Sequence, residues 1–340
     1  MAMPTKSAGL LAVALLCCTA ASSASEASLS KEILRQDGWV AYDVAMVADA
    51  GAPCCYEFHG HVVLHNGCDL DDRNWNIGRN DDDPRPLVAD AKLSVYLHVA
   101  AAQVDKVRAF ASTCALRDAA NVRRIDPVDS ADSIALLARM SGSAAQKHDV
   151  ADAQIAALAL HADAAATPAL IELADSSHPR KLREQALFWL AQMRGAPGAQ
   201  AVERAATTDA DPDLRANAVF ALSQAHAVDA YLGIRHIAQH DASEHVREQA
   251  LFWMAQMGDA RARSDIIAAI GSDSSDKVRE QGVFALSQLK DHEADAALIA
   301  IVRGAYPRKV KEQALFWLGQ SGSDEAMKFL DDVLTRQAVR

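Results

Sequence analysis

The sequence predicts a multidomain α+β chain: a small antiparallel β domain with disulfides, followed by an α-solenoid of helical hairpins. Three observations predict it. The second half repeats at a fixed interval with helical spacing. The first third holds Val-, Tyr- and Phe-rich segments that partly alternate, as strands do. Beyond the extreme N-terminus, the cysteines are Cys54, Cys55, Cys68 and Cys114, all in that first third. The expected plan is a signal peptide over 1–24, a β-rich disulfide domain over 28–128, a connecting helix and linker over 129–149, and about six 32-residue repeats over 150–340.

Composition bounds the function. Half of the 340 residues are hydrophobic, enough for a sizeable core, so wholesale disorder is excluded. The formal net charge is −11, from 34 basic and 45 acidic residues, and no basic stripe is present. Nucleic acid is therefore not an expected partner, and an anionic membrane surface is disfavoured.

Lys6 is the only charged side chain before Glu26, and an apolar run from Ala8 to Ala21 leads into Ser22, Ser23, Ala24 and Ser25. A basic start, a short apolar stretch and small residues are the pattern of a cleaved export signal, with processing expected after Ala24 or Ala27. The run is too short to span a bilayer. Cys17 and Cys18 follow Leu15 and Leu16 rather than the small residues of a lipobox. The chain is thus expected in the periplasm or secreted, with no integral membrane segment after cleavage. In an oxidising compartment four thiols imply two disulfides. A Cys54–Cys55 ring would be strained, so each should reach for Cys68 or Cys114, and the pairing stays open.

Residues 38–47, 56–64, 92–99 and 103–112 read as strands, the last two close enough for a hairpin. A helix is expected near 129–141. His59, His61, His65 and Cys68 have ligand-like spacing, but a disulfide at Cys68 would compete with metal. The acidic run from Asp69 to Asp83 superficially resembles a calcium loop. Counted from Asp72, however, the required glycine is Ile77 and the closing glutamate is Asp83. No metal or other cofactor is expected at either place.

Five segments then match in strict 32-residue register, beginning at Leu182, Leu214, Val246, Val278 and Val310, with a degenerate copy at Val150. Each is the second helix of a pair. Pro179, Asp211 with Pro212, Ser243, Ser275 and Pro307 precede them as breakers or caps. Shorter first helices fall at 198–206, 230–239, 261–270 and 293–302. One pair cannot bury its own apolar face, so the pairs must stack. A 64-residue period overlies the first: Trp189, Trp253 and Trp317 alternate with Ala221 and Ala285. Large and small residues alternating along a packed row help to fix the stacking register.

The pattern VR-x-x-A-ψ-x-x-L, with two helices per unit and acidic turns, resembles HEAT repeats, most of all the short HEAT-like type also found in phycocyanobilin lyases. The resemblance covers about 150–340. It implies an array whose second helices line a concave surface, used mostly as a binding scaffold.

At 100° per residue, positions 0, 4, 5 and 8 of the second helix form its buried face, and positions 2, 6 and 10 lie four apart on the outward face. Position 6 should be polar, yet it is Phe188, Phe220, Phe252, Phe284 and Phe316. Position 10 is Gln192, Gln224, Gln256, Gln288 and Gln320, and position 2 is Glu184, Glu248, Glu280 and Glu312, with Ala216 the exception. This reads as a protein- or peptide-binding face: apolar side chains on the rings, backbone on the amides, basic residues on the carboxylates. The structural alternative is that each ring leans into the next helix and the glutamines form an amide ladder.

His236 and His240 share one helical face with His245 nearby, but no third committed ligand is evident. There is no P-loop, G-x-G-x-x-G, G-x-S-x-G or H-E-x-x-H. No enzymatic activity is expected. The leading reading is an extracytoplasmic protein-interaction scaffold. The alternatives are a metal- or ligand-sensing envelope protein using the N-terminal Cys/His domain, and a lyase-like or other enzyme. The lyase resemblance fits poorly with export and with cysteines outside the repeats.

Overall fold

A computed structural model describes residues 25–48, 54, 56–58, 62–64, 68–71, 92–117, 119–143, 146–225, 229–289 and 294–338. The expected signal segment, Cys55, His59, His61, His65 and most of the acidic run lie outside them. Contacts divide the chain into two compact units, one ending at Trp189 and the other beginning at Leu190.

In the first unit, helix α1 (25–33) precedes strand β1 (Gly38–Ala45). The segment expected as one strand over 56–64 contains two, β2 (Tyr56–Phe58) and β3 (Val62–Leu64), paired antiparallel. Strands β4 (Lys92–Ala100) and β5 (Gln103–Ala111) form the expected hairpin. Its two turn residues, Ala101 and Ala102, both have positive φ, which a two-residue hairpin of this hand requires even without Asn-Gly.

The sheet runs β5-β4-β1-β6, where β6 (Arg123–Arg124) pairs parallel with β1. The expectation of a purely antiparallel domain is corrected here: the sheet is mixed. The chain returns from β5 through a short crossing segment, so that the two arginines run alongside β1. A two-residue strand carries too little alternation to be legible in sequence.

Side-chain alternation buries both faces of the sheet. Val40, Tyr42, Leu93, Val95, Leu97 and Val107 are sealed on one face. Ala41, Tyr96 and Phe110 pack on the other with Leu70 and the cysteines. Cys54 bonds Cys114, one of the pairings left open by the sequence, and Cys68 is likewise disulfide-bonded.

Helix α2 (Ser130–Ser141) starts where Asp129 accepts the Ala131 N–H, and α3 (His148–Ala159) packs on both α2 and β5. The degenerate first copy, with Val150, Ile155 and Leu158 buried, therefore builds its core partly from a strand. Its end is pinned to the sheet, because Val47 donates to the Leu160 carbonyl and Ala162 to that of Ala45. Below this seam Ser133 Oγ stands 2.8 Å from both Tyr42 OH and His161 Nε2. Burial pushes the Tyr42 phenol well above its usual range, against the lowering effect of Ser133. Helix α4 (Ala166–Leu173) follows, and α5 (Arg180–Met193) contains the division between the units.

The second unit continues as helix pairs: α6 (Gly195–Thr208) with α7 (Pro212–Ser223), α8 (Ala230–His240) with α9 (Glu244–Gln256), α10 (Ala262–Ser272) with α11 (Asp276–Ser287), and α12 (Asp295–Arg303) with α13 (Arg308–Ser321). Helix α14 (Asp324–Ala338) packs on α12 and α13. The second helices touch in series, α7 to α9 to α11 to α13. Their predicted core positions are sealed at Val246, Ala250, Leu251 and Met254 in α9 and at Val310, Ala314 and Leu318 in α13, where Leu315 is half-buried. Asp211 and Ser275 cap α7 and α11 with their side chains as expected. Ser243 does not cap α9. Its own N–H is instead taken by the Asp241 carboxylate.

Candidate functional site

The second helices were expected to offer a Phe–Gln–Glu face. Phe188, Phe220, Phe252 and Phe284 are all half-buried, and Phe316 is 54% exposed. The rings are neither free nor sealed. In the second unit they form a continuous aromatic row through the Trp slots. Phe220 meets Trp253 of the next helix with centroids 4.8 Å apart. Phe252 stacks on Phe284 at 6.0 Å and 6°. Phe284 meets Trp317 at 5.2 Å, and Phe316 closes the row edge-on to Trp317. In the first unit Phe188 lies edge-on to Trp189.

This arrangement explains the 64-residue period. Where a helix carries Trp, the preceding Phe leans onto the indole; where it carries Ala221 or Ala285, the slot is closed by burial of the small side chain. Interfaces of two kinds thus alternate, Phe on Trp and Phe on Phe, and slipping the stack by one unit would mismatch them. A helical wheel assigns one angle per residue and cannot show a ring leaning sideways, which is why the Phe positions computed as outward.

The glutamines do not form an amide ladder in the Ser-containing copies. Gln224 donates to Ser223 Oγ and Gln288 to Ser287 Oγ on their own helices. Gln256, Gln288 and Gln320 are exposed, while Gln192 and Gln224 are half-buried. Among the position-2 carboxylates, Glu184 lies 3.8 Å from Arg180 and Glu312 2.7 Å from Arg308, while Glu248 and Glu280 are half-buried. At the last rung these residue types converge. A cleft of about 300 Å³ is lined by Glu280, Lys309, Glu312, Gln313 and Phe316.

A second feature escaped the sequence reading. Arg215 donates two bonds to Asp241 at 2.8 Å, and Arg247 two to Asp273 at 2.7 and 3.0 Å. The same arginines donate to the carbonyls of Asp209 and Asp241. Asp241 therefore holds Arg215 of the preceding repeat with its carboxylate and Arg247 with its carbonyl. Burial raises the Asp241 and Asp273 carboxyls, but the arginine bonds and the N–H groups of Ser243 and Ser275 outweigh it and hold both below the usual range. The signal was present in the sequence: Arg at position 1, and aspartates 32 apart at Asp209, Asp241 and Asp273. The series lapses at residue 305, which is Ala305. Arg279 Nε has no hydrogen-bond partner there, and its Nη1 reaches only to 3.5 Å from Asp276.

Among the described residues, no group of three or more His, Cys, Asp or Glu is placed to hold a metal ion. The disulfide at Cys68 removes the thiolate from the proposed His59, His61, His65 and Cys68 set. Ser133 and His161 form a nucleophile-like pair, but both are fully buried and join strand to helix rather than line a cleft. No described helix is long and apolar enough to cross a membrane.

A solenoid of stacked helix pairs is the class of protein that this repeat geometry defines. Residues 233–319 match the HEAT-repeat family, so this part of the chain is a HEAT-repeat array. Among solved structures, the chain is similar to human deoxyhypusine hydroxylase, with 14% identity over 59% of this chain and 77% of that one and a TM-score of 0.27. It is also similar to the CpcE–CpcF complex of phycocyanin lyase from a Nostoc species, with 19% identity, 60% and 81% coverage and a TM-score of 0.29. No curated protein sequence matches the chain.

Proposed function

We propose that this protein is an extracytoplasmic, non-enzymatic interaction scaffold that binds a protein or peptide segment along the outward face of its second helices. The HEAT-repeat array supports a scaffold, and the N-terminal pattern of Lys6, an apolar run and small residues supports export. The observation that carries the binding reading is the cleft at the last rung. Phe316 stands 54% exposed there, with Glu280 and Glu312 beside it. The same positions recur at earlier rungs, with Ala216 the exception among the carboxylates, so a bound segment meets a ring at every rung and a carboxylate beside most of them. An extended segment bearing apolar and basic side chains fits this chemistry.

The test is selection of displayed peptides on the full chain, with a Phe316→Ser/Glu312→Gln double variant as counter-target. Both residues are exposed, so the variant keeps the parent's melting temperature. The expected result is enrichment of peptides pairing an apolar with a basic residue, with binding lost in the variant. Enrichment that is identical on both proteins, or none at all, overturns the proposal.

A further inference from the structure

In an array this regular, residues that serve the stacking recur, and a departure from recurrence has a local reason. One departure accompanies a cavity of about 360 Å³ between the ends of α11 and α13 and the start of α12. Asp295 and Leu298, both buried, form its floor, and Trp317 is part of its wall. Gln288 and Gln320 line it too and are exposed, so they border its opening. Two units earlier, 64 residues back, the same frame stands in Ile234, Trp253, Gln224 and Gln256. There, however, the positions of Asp295 and Ser321 hold Tyr231 and Met257. The Tyr231 ring is sealed, and its hydroxyl donates to Asp265 at 2.8 Å. Two large side chains fill that place at the earlier rung. At the last rung a carboxylate and a hydroxyl leave it open, in an interior that is otherwise close-packed.

The carboxylate sets the chemistry. The hydroxyls of Ser321 and Ser323 donate to Asp295 Oδ2 at 2.7 and 2.5 Å, so the group stands as an acceptor. Among the described lining residues it carries the only charge. An anion is repelled there, whereas a cationic hydrogen-bond donor is attracted. Because Oδ2 already accepts twice, the two-pronged approach of a guanidinium is hindered, and a compact ammonium fits better. Leu298 and Trp317 offer apolar surface to the methylene stem that carries such a head.

We propose that this cavity binds an aliphatic primary ammonium group, with its stem against Leu298 and Trp317 and its head toward Asp295 and the amides of Gln288 and Gln320. The ammonium belongs either to a free amine or to a lysine side chain, and the two present the same chemistry to the pocket. The inference does not rest on the peptide-binding face, since it uses neither Phe316 nor Glu312.

The experiment follows indole N–H signals by NMR on the ¹⁵N-labelled full chain. There are five tryptophans, and Trp317→Phe identifies the signal of Trp317. The probes are n-butylammonium, N-acetyl-lysine amide, and N-acetyl-norleucine amide, which keeps the stem and lacks the charge. The expected result is a saturable shift of the Trp317 signal with both ammonium probes, with Trp189 and Trp253 unmoved. The norleucine probe should bind at least about tenfold more weakly. That comparison needs wild type alone. In Asp295→Tyr/Ser321→Met, copied from the filled rung, the shift should vanish, and in Phe316→Ser/Glu312→Gln it should persist. Tighter binding of the lysine amide than of n-butylammonium assigns the pocket to a lysine of a polypeptide; equal or weaker binding assigns it to a free amine. Equal binding of the lysine and norleucine probes, a shift that survives in Asp295→Tyr/Ser321→Met, or no shift of Trp317 with either ammonium overturns the proposal.

Discussion

Replacing Asp273 by Ala should destabilise the repeat array far more than replacing Arg279 by Ala, although both changes touch the same ladder. In the intact rung the Asp273 carboxylate accepts from Arg247 Nε and Nη2 at 2.7 and 3.0 Å and from the Ser275 N–H at 2.8 Å. The Arg247 and Asp273 side chains are only 11% and 9% exposed. Truncation strands a largely buried guanidinium, and breaking such a pair from one side costs ~3–5 kcal/mol when burial is complete. Arg247 keeps its bond to the Asp241 carbonyl, so about 3 kcal/mol is the expected loss. For a unit of this size each kcal/mol moves the midpoint by about 2–4 °C, which gives a drop of roughly 6–12 °C. At the next rung the partner is already missing, since residue 305 is Ala305. Arg279 has only a 3.5 Å contact to Asp276, which is 60% exposed, so its removal should cost less than ~1 kcal/mol. Conversely, Ala305→Asp should raise the midpoint by restoring the rung. Scanning calorimetry of the three variants reads this directly. Equal losses from Asp273→Ala and Arg279→Ala, or an Asp273→Ala loss below ~1 kcal/mol, would refute the argument that the ladder holds successive repeats together.

Other consequences are open to measurement. Gly282→Ala puts a Cβ 2.6 Å from Ile270 Cγ1, so despite a better helix former it should lose about 1–2 kcal/mol in urea denaturation. Phe252→Ala removes a ring stacked on Phe284 and edge-on to Trp253 and should cost about 2–3 kcal/mol, whereas Phe316→Ala should cost under ~1 kcal/mol, because Phe316 is half exposed. Acid should loosen the ladder. The Asp241 and Asp273 carboxyls are depressed in the folded chain, so their contribution is complete above the unfolded value of about 3.9 and is lost as pH falls through the lower folded values. Asp241→Asn/Asp273→Asn should flatten that limb of a stability–pH curve. At the alkaline end the Tyr42 and Tyr231 phenols are raised by burial, so their contribution is intact below about pH 10 and is lost above it. Tyr42→Phe should remove part of that loss.

Much of the architecture was legible because it is periodic. Five copies in strict register fix the helix pairs, and the wheel of each second helix correctly placed Val246, Ala250, Leu251 and Met254 in the core. The 92–112 hairpin was legible from β-rich runs separated by two residues. Strand β6 was not, since two arginines carry no strand-like pattern, and both their backbone pairing with β1 and the Arg124–Asp43 ion pair join segments far apart in the chain. The candidate face was only half legible. Its residues were identified, but the leaning of each Phe onto the following Trp or Phe depends on the neighbouring helix. The Arg–Asp ladder was visible as spacing and went unread, because ion pairs 26 residues apart have no signature within one helix.

The sequence by itself determined the repeat length, the helix pairing, the buried stripe and the large–small alternation, because each follows from local periodicity and from the need to cover apolar surface. Tertiary structure alone decided the mixed sheet, the Cys54–Cys114 pairing, the half-burial of the repeat phenylalanines before Phe316 and the capture of Arg215 and Arg247 by the next repeat's aspartate. Those outcomes turn on distances between segments far apart in the chain, and one-dimensional spacing does not encode the direction in which a side chain leans once its neighbour arrives.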